Sequence, residues 1–447
     1  MRSARLGIVI AVSLVTWACG GSDDDGAQTT PTTADAGGAA EAGSNAAVDA
    51  GPRVLGDQSV GGTVTGLAGR GLVLQINGGD DLAVDADGVF TFPTGVRSET
   101  PFTVTVKTQP SSPTQTCTVE NGTGTVAYGP VAYVAVTCTT VTRTLSVNVA
   151  GLATGQSVVL QNGGKDDLTV NANGPASFAT PVASGTVYAL TVKTQPAGAY
   201  CKIDPRTGGV DDKVNIAVTC AAVKSCKEIL AADANAPSGV YSLGDGATTY
   251  SAYCDQTNDG GGWTLALKGG LAAGSKLDYD NAMWTDTTTF GTDSPDLASD
   301  KEAKLASFNG LAVTAVRVSL VANGITGGFS FASTGTSLRA IFAGGTAATT
   351  GVTRNQWVGA IEGSGLQPNC NNLQGFNLTG GNGYAVRLGM LGNNEDFECN
   401  STDSAIGFGL KSGTATVGAS GAYGRVNIIN NPVADGTNPA FGYVFVR

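Results

Sequence analysis

Val64-Thr65-Gly66-Leu67, followed by Leu72-Val73-Leu74-Gln75-Ile76-Asn77-Gly78-Gly79-Asp80-Asp81-Leu82, returns as Val149-Ala150-Gly151-Leu152, followed by Val158-Val159-Leu160-Gln161-Asn162-Gly163-Gly164-Lys165-Asp166-Asp167-Leu168. The copying continues outward, with Thr105 to Pro110 recurring as Thr191 to Pro196, and Ala135 to Cys138 as Ala217 to Cys220. A period of about 85 residues marks two copies of one module. Within each copy, apolar residues alternate over short runs such as Leu145-Ser146-Val147-Asn148-Val149, with Gly, Asn and Asp between the runs. Alternation of period two predicts half-buried strands, and the turn residues between them predict a sandwich of short strands. The acidic doublets Asp80-Asp81 and Asp166-Asp167 fall at equivalent turns, where Asx turn chemistry explains them and metal ligation is the alternative.

Around these copies the chain of 447 residues is long enough for two to four domains. Charged residues are only 14% of it, with 65 glycines and 16 prolines, a profile that favours strands and turns over helical bundles. With 25 basic and 36 acidic residues the net charge is −11, which argues against nucleic acid as a partner. No histidine is present, so Ser-His-Asp triads, Cys-His dyads and imidazole bases are excluded.

At the N-terminus, Arg2 and Arg5 precede an apolar run from Leu6 to Val15, the length and polarity of an export signal rather than a spanning helix. Thr16-Trp17-Ala18-Cys19 resembles a bacterial lipoprotein cleavage box, which implies a lipid on Cys19, although Thr16 stands where Leu is usual. Plain secretion or an uncleaved anchor are the alternatives. Residues 20–50 carry Asp23, Asp24, Asp25, Asp35, Glu41 and Asp49 and no basic residue, and they cannot bury a core. They read as a tether with a root-mean-square span of roughly 30 Å. Gly20 after Cys19 favours an outer-membrane or cell-surface location.

Nine cysteines occur, and if Cys19 carries lipid the remaining eight form an even set of the kind exported chains pair. Eight cysteines allow 105 pairings. Their placement suggests Cys117–Cys138, Cys201–Cys220, Cys226–Cys254 and Cys370–Cys399.

From Ser225 the pattern changes. Ser225-Cys226-Lys227-Glu228 reads as a capping box opening a helix through Leu230, and Ser299-Asp300-Lys301-Glu302 as one opening a helix through Phe308. The fold class expected is therefore multidomain, two all-β sandwiches followed by an α+β domain. The divisions are 1–18 signal, 19–52 tether, 53–141 and 142–222 sandwiches, and 225–447 C-terminal domain.

The two copies resemble the tandem Ig-like stalk repeats of bacterial surface lipoproteins. The C-terminal part, through Ser225 to Leu230, Ser238 to Tyr241, Tyr253-Cys254-Asp255 and Asp259-Gly260-Gly261-Gly262-Trp263-Thr264-Leu265, resembles the opening of a fibrinogen C-terminal domain of the ficolin and intelectin kind. Gly442 to Arg447 resembles that family's closing strand, whereas residues 310–365 match no part of it. The resemblance implies a calcium segment at Asn393, Asn394, Glu395, Asp396, Glu398 and Asp403, a set rich in the oxygen donors calcium takes. The family's paired aspartates two apart are absent there, and an acidic solvated loop beside Cys399 is the alternative. The intelectin ligand set includes histidine, so diol coordination of that kind is not expected. Tyr423, Trp357 and Phe408 are candidates for a face on which a sugar stacks, against core packing as the alternative.

The function expected is a surface-anchored lectin stabilised by calcium, with a protein-binding adhesin or scaffold as the second reading. The partners expected are a glycan or surface protein, and the membrane through the lipid. An enzyme is not expected, although Asp396 and Asp403 are a pair of carboxylates of the kind glycoside hydrolysis uses.

Overall fold

The structure is a computed structural model that describes residues 55–211, 215–244, 248–270, 275–348, 351–369, 373–393, 401–411, 416–427 and 431–447, with the strands over 421–436 described as backbone. The signal at residues 1–18, Cys19 and the tether at 19–52 lie outside the described residues. No described helix is long and apolar enough to cross a membrane.

The two copies fold alike. In the first, Gly88–Thr91, Val60–Thr65, Val131–Thr140 and Gln115–Glu120 form one four-stranded sheet, and Asp80–Val84, Leu72–Ile76, Pro101–Thr108 and Thr123–Thr125 form another. In the second, the corresponding sheets are Gly174–Ser177, Ser146–Ala150, Ile216–Ala222, Ala199–Asp204 and Asp166–Val170, Val158–Asn162, Val187–Thr194, Thr207–Gly209. Each module's two sheets bury their alternate residues in one shared core, through Val60, Leu72, Leu74, Phe102 and Val136 in the first and Val147, Val158, Leu160, Tyr188 and Val218 in the second. Pro101–Thr108 and Val187–Thr194 even share one in-out burial pattern. Each module also contains one parallel pair, Val60–Thr65 beside Val131–Thr140 and Ser146–Ala150 beside Ile216–Ala222.

Two disulfides lie within these modules. Cys117 faces Cys138 and Cys201 faces Cys220 directly across antiparallel pairs, and both pairs are bonded with Cα atoms 3.9 Å apart.

The acidic doublets sit differently from the turn expected for them. They open strands, and Asp81 pairs with Lys107 and Gln75 just as Asp167 pairs with Lys193 and Gln161. The lysine hydrogen bond, then the glutamine, holds each of these carboxylates below the usual aspartate range. Asn77 to Gly79 and Gly163 to Lys165 make the turns instead.

The C-terminal body holds two larger sheets. The first runs Gly239–Gly244, Thr249–Asp255, Trp263–Gly269, Phe441–Val446, Val313–Ala322, Ile325–Gly335, with Ala303–Lys304 paired to Trp263–Gly269 as a seventh strand. The second runs Ala347–Ala348, Gln374–Thr379, Ala385–Gly392, Ser404–Leu410, Val417–Asn427, Asn431–Pro439. Val316, Val318 and Leu320 of the first sheet and Leu388, Met390 and Ile406 of the second share a core with Phe308, Phe342 and Trp357 from short helices.

Helix α1 (Cys226–Ala232) starts where expected, with Ser225 Oγ accepting from the Glu228 amide at 3.3 Å. Its Glu228 carboxylate accepts from the Lys224 amide rather than closing the box on Ser225. Cys226 is bonded to Cys254. The helix expected from Ser299 is not formed at its start. Glu302 turns its carboxylate to the Gly270 and Lys276 amides, Lys304 buries its amine from a two-residue strand, and only α2 (Ala306–Gly310) is helical.

The stretch 310–365, which matched nothing, is a hairpin followed by α3 (Leu338–Ala343) and α4 (Arg354–Ala360). Its turn is Asn323-Gly324, both at positive φ, the pair a tight two-residue hairpin needs. Thr353 and Gln356 close a full capping box on α4.

Candidate ligand-binding site

The expected calcium segment joins Ala385–Gly392 to Ser404–Leu410, and the described residues define its base. Gly392 pairs with Ser404 as the last rung of the ladder, and the Asp403 amide donates to Gly392 O at 3.0 Å. Asn393 is fully buried, exchanges two main-chain hydrogen bonds with Asn369 (2.9 and 3.2 Å) and donates from Nδ2 to Ser401 Oγ at 3.3 Å. Asp403 is half-buried, and its Oδ1 accepts from Asn382 Nδ2 at 2.9 Å. Thr402, fully buried, ties the base to Gly381 O at 2.9 Å.

The base of the loop is therefore rigid and rooted in the six-stranded sheet. Of the six expected ligands, Asn393 and Asp403 are brought to this base, and Asn394, Glu395, Asp396 and Glu398 lie outside the described residues, as do Cys370 and Cys399. Among the described residues no group of three or more carboxylates or cysteines is assembled for a metal.

Two of the three aromatic residues expected to stack on a sugar are placed otherwise. Trp357 is fully buried on α4, edge-on to Phe329 with ring centroids 4.8 Å apart. Phe408 is fully buried against Gly442, where an added Cβ would lie 2.2 Å from its ring. Both are core residues without a face to solvent. The side chain of Tyr423 lies outside the described residues.

What the body does assemble is a set of buried cations. Arg317 lies under the outer face of the first sheet, paired with Asp255 at 2.5 Å and stacked on Phe445 (4.4 Å) and Trp263 (5.5 Å). Burial works to raise the Asp255 pKa, but hydrogen bonds from the Asn258 side chain and amide and from Arg317 outweigh it and hold the group at about 2. The groove beside this pair, about 510 Å³, is lined by Asp255 and Arg317 together with Asn258, Ser319 and Tyr443.

The glycine block frames the same region. Gly261 has φ +69°, and a Cβ there would lie 2.3 Å from Gln256 O. Arg447 donates from Nη1 to Asp259 O (3.1 Å) and Gly261 O (3.0 Å) while covering Trp263.

Lys268 and Lys304 are both fully buried. Lys268 Nζ donates to Asp296 O (2.8 Å), Ser299 O (3.0 Å), Ser294 Oγ (3.1 Å) and Ser299 Oγ (3.2 Å). Lys304 Nζ donates to Met283 O (2.6 Å), Asp286 O (2.9 Å) and Asp286 Oδ1 (3.0 Å). Burial lowers the pKa of each, with nearby aspartates opposing the shift. Each ammonium gathers the oxygens of a loop much as a bound cation does. Sequence offered no sign of them, because lysine is ordinarily an exposed residue.

No family model matches the chain. A solved structure described as the fibrinogen-like globe domain of human ANGPTL6 aligns at 24% identity with a TM-score of 0.19, over 25% of this chain and 49% of that one.

Proposed function

We propose that this protein is an envelope-anchored binding protein in which a fibrinogen-like C-terminal body recognises glycans with calcium held at the loop between Asn393 and Asp403. In this reading Cys19 carries the lipid, residues 19–52 form the tether, and the two Ig-like modules are the stalk. The body binds rather than catalyses.

The observation that carries the reading is the rigid loop base. Eleven positions from 393 to 403 are closed by the Gly392–Ser404 rung and the Asn369–Asn393 bridge, and their sequence contains Glu395, Asp396, Glu398 and Asp403. A fixed base closing a segment whose sequence holds four carboxylates favours a hard cation, which draws its six to eight ligands from oxygen. The Cys226–Cys254 bond, the left-handed glycines before Trp263 and the pairing of Phe441–Val446 beside Trp263–Gly269 support the fibrinogen-like assignment.

The test is thermal unfolding of the full chain in calcium and in chelator. A ligand that binds only the native state at 100 times its Kd adds about 2.7 kcal/mol. The midpoint of the C-terminal transition is expected to rise in millimolar calcium and to lose that rise in Glu395→Ala/Asp396→Ala. A glycan array probed with and without chelator then reads the sugar. No shift in calcium would sink the calcium-lectin reading and put a protein-binding adhesin in its place.

A further inference from the structure

The two junctions between successive bodies of the chain are built from the same peptide groups. At the first, the residue three before Cys117 and the residue three after Cys138 meet: the Val141 amide donates to Thr114 O (3.0 Å), the Ser184 amide donates to Val141 O (2.8 Å), and the Thr114 amide donates to Ser184 Oγ (2.7 Å). At the second, the residues three before Cys201 and three after Cys220 do the same. The Val223 amide donates to Gly198 O (3.0 Å), the Gly244 amide donates to Val223 O (2.8 Å), and the Gly198 amide donates to Ser242 Oγ (3.0 Å). One relay, anchored beside a disulfide, thus serves a module-to-module joint and a module-to-body joint.

The joints differ in what surrounds the relay. Counting from the first cysteine of each disulfide, Tyr200 stands where the first module has Thr116, and Arg206 where it has Gly122. Those two departures from the repeat are the residues that reach into the C-terminal body. Tyr200 Oη donates to Asp233 Oδ2 at 2.7 Å, and Arg206 Nη2 pairs with the same carboxylate oxygen. Asp233 is 2% exposed, so these partners neutralise a charge that the body buries just after α1.

Tyr200 also packs against Tyr241 with centroids 6.0 Å apart, and Tyr200 and Val223 belong to the apolar cluster of Ile229, Leu243, Trp263 and Phe445. In the first module Thr116 is exposed and Gly122 has no side chain to offer.

We infer that the second module, although a repeat of the stalk, folds as one unit with the C-terminal body, and that only the first module is an independent folding unit. A carboxylate buried without its partners is strongly destabilising, so the body depends on Tyr200 and Arg206 for its own stability. The inference does not rest on calcium or on the nature of the ligand.

The experiment uses the full chain, without calcium, with calorimetry and trypsin cleavage after the exposed Lys224 as readouts. In the wild type the second module and the C-terminal body are expected to unfold in one transition, with the first module separate. Tyr200→Thr/Arg206→Gly, which restores the first module's residues, should split that transition in two. It should also raise cleavage after Lys224 by about tenfold, since proteolysis follows the population of the open form. Arg206→Gly should have much less effect in an Asp233→Asn background, because the two act on one contact.

If the double variant fails to fold, Tyr200→Phe and Asp233→Asn are read in its place, the first removing only a hydroxyl. Separate transitions for the two bodies in the wild type would overturn the inference. So would unchanged cleavage together with additive effects of Arg206→Gly and Asp233→Asn. Thr116→Ala should change neither readout.

Discussion

Lys268→Met removes the ammonium from a fully buried cage while keeping the length of the side chain. In the wild type the main-chain carbonyls of Asp296 and Ser299 accept from Nζ at 2.8 and 3.0 Å, and Ser294 and Ser299 hydroxyls at 3.1 and 3.2 Å. The two hydroxyls already bond each other and keep that bond in the variant. The two carbonyls lose their donor, and each orphaned acceptor costs about 1–3 kcal/mol. The expected loss is therefore about 4 kcal/mol. For a cooperative unit of about 300 residues, with an unfolding entropy of about 2.1 cal/mol/K per residue, each kcal/mol lowers the midpoint by about 1.6 °C, so the fall is roughly 6 °C. Thermal unfolding followed by circular dichroism reads it directly. Lys301→Met is the control, because Lys301 and its partner Asp293 are 68% and 73% exposed, and such pairs contribute little. A Lys268→Met midpoint within about 2 °C of the wild type would refute the reasoning, by showing that the loop from 293 to 299 stands without its cation.

Two further outcomes follow from the groups around the glycine block. Asp255 is held at about 2 against an ordinary 3.8, a folded-state pKa below the unfolded one. Its contribution is thus fully present above about pH 4 and lost as the pH falls through about 2. Asp255→Asn should flatten stability in that window and lower it at pH 7, where Arg317 would stay buried beside a neutral group; an unchanged acid profile would contradict this. Gly261→Ala places a side chain at φ +69° with its Cβ 2.3 Å from Gln256 O, and should cost about 2 kcal/mol or more. Denaturant unfolding with no change in midpoint would show that the loop shifts without cost.

What could be read in the sequence was what repeats or alternates. The two modules announced themselves because the same residues take the same side of the same strands, and the cysteine placement followed because Cys117 and Cys201 face their partners across a ladder. Three of the expected pairs are formed among the described residues. Local patterns misled where a tertiary partner claimed the residue. Ser299-Asp300-Lys301-Glu302 has the letters of a capping box, but Glu302 is taken by the 270–276 segment and Lys304 by Met283 O. Trp357 and Phe408 have the chemistry of a stacking platform and the burial of core residues, a distinction that one chain's letters do not contain. Asn323-Gly324 between two β-rich runs was a readable hairpin signal inside a stretch that matched no family. The buried lysines and the Tyr200–Asp233–Arg206 contact join residues between 18 and 33 positions apart, and no spacing rule finds them.

The strand Phe441–Val446 pairs on one side with Trp263–Gly269 and on the other with Val313–Ala322. Those two neighbours are made well over a hundred residues earlier in synthesis, and each then exposes an unpaired edge until residue 446 arrives. The two modules complete their sheets as they emerge, but this sheet stays open through most of its own translation. An open edge recruits other chains, so a nascent or truncated chain is the aggregation-prone species, and a shielding chaperone has its natural task in that interval.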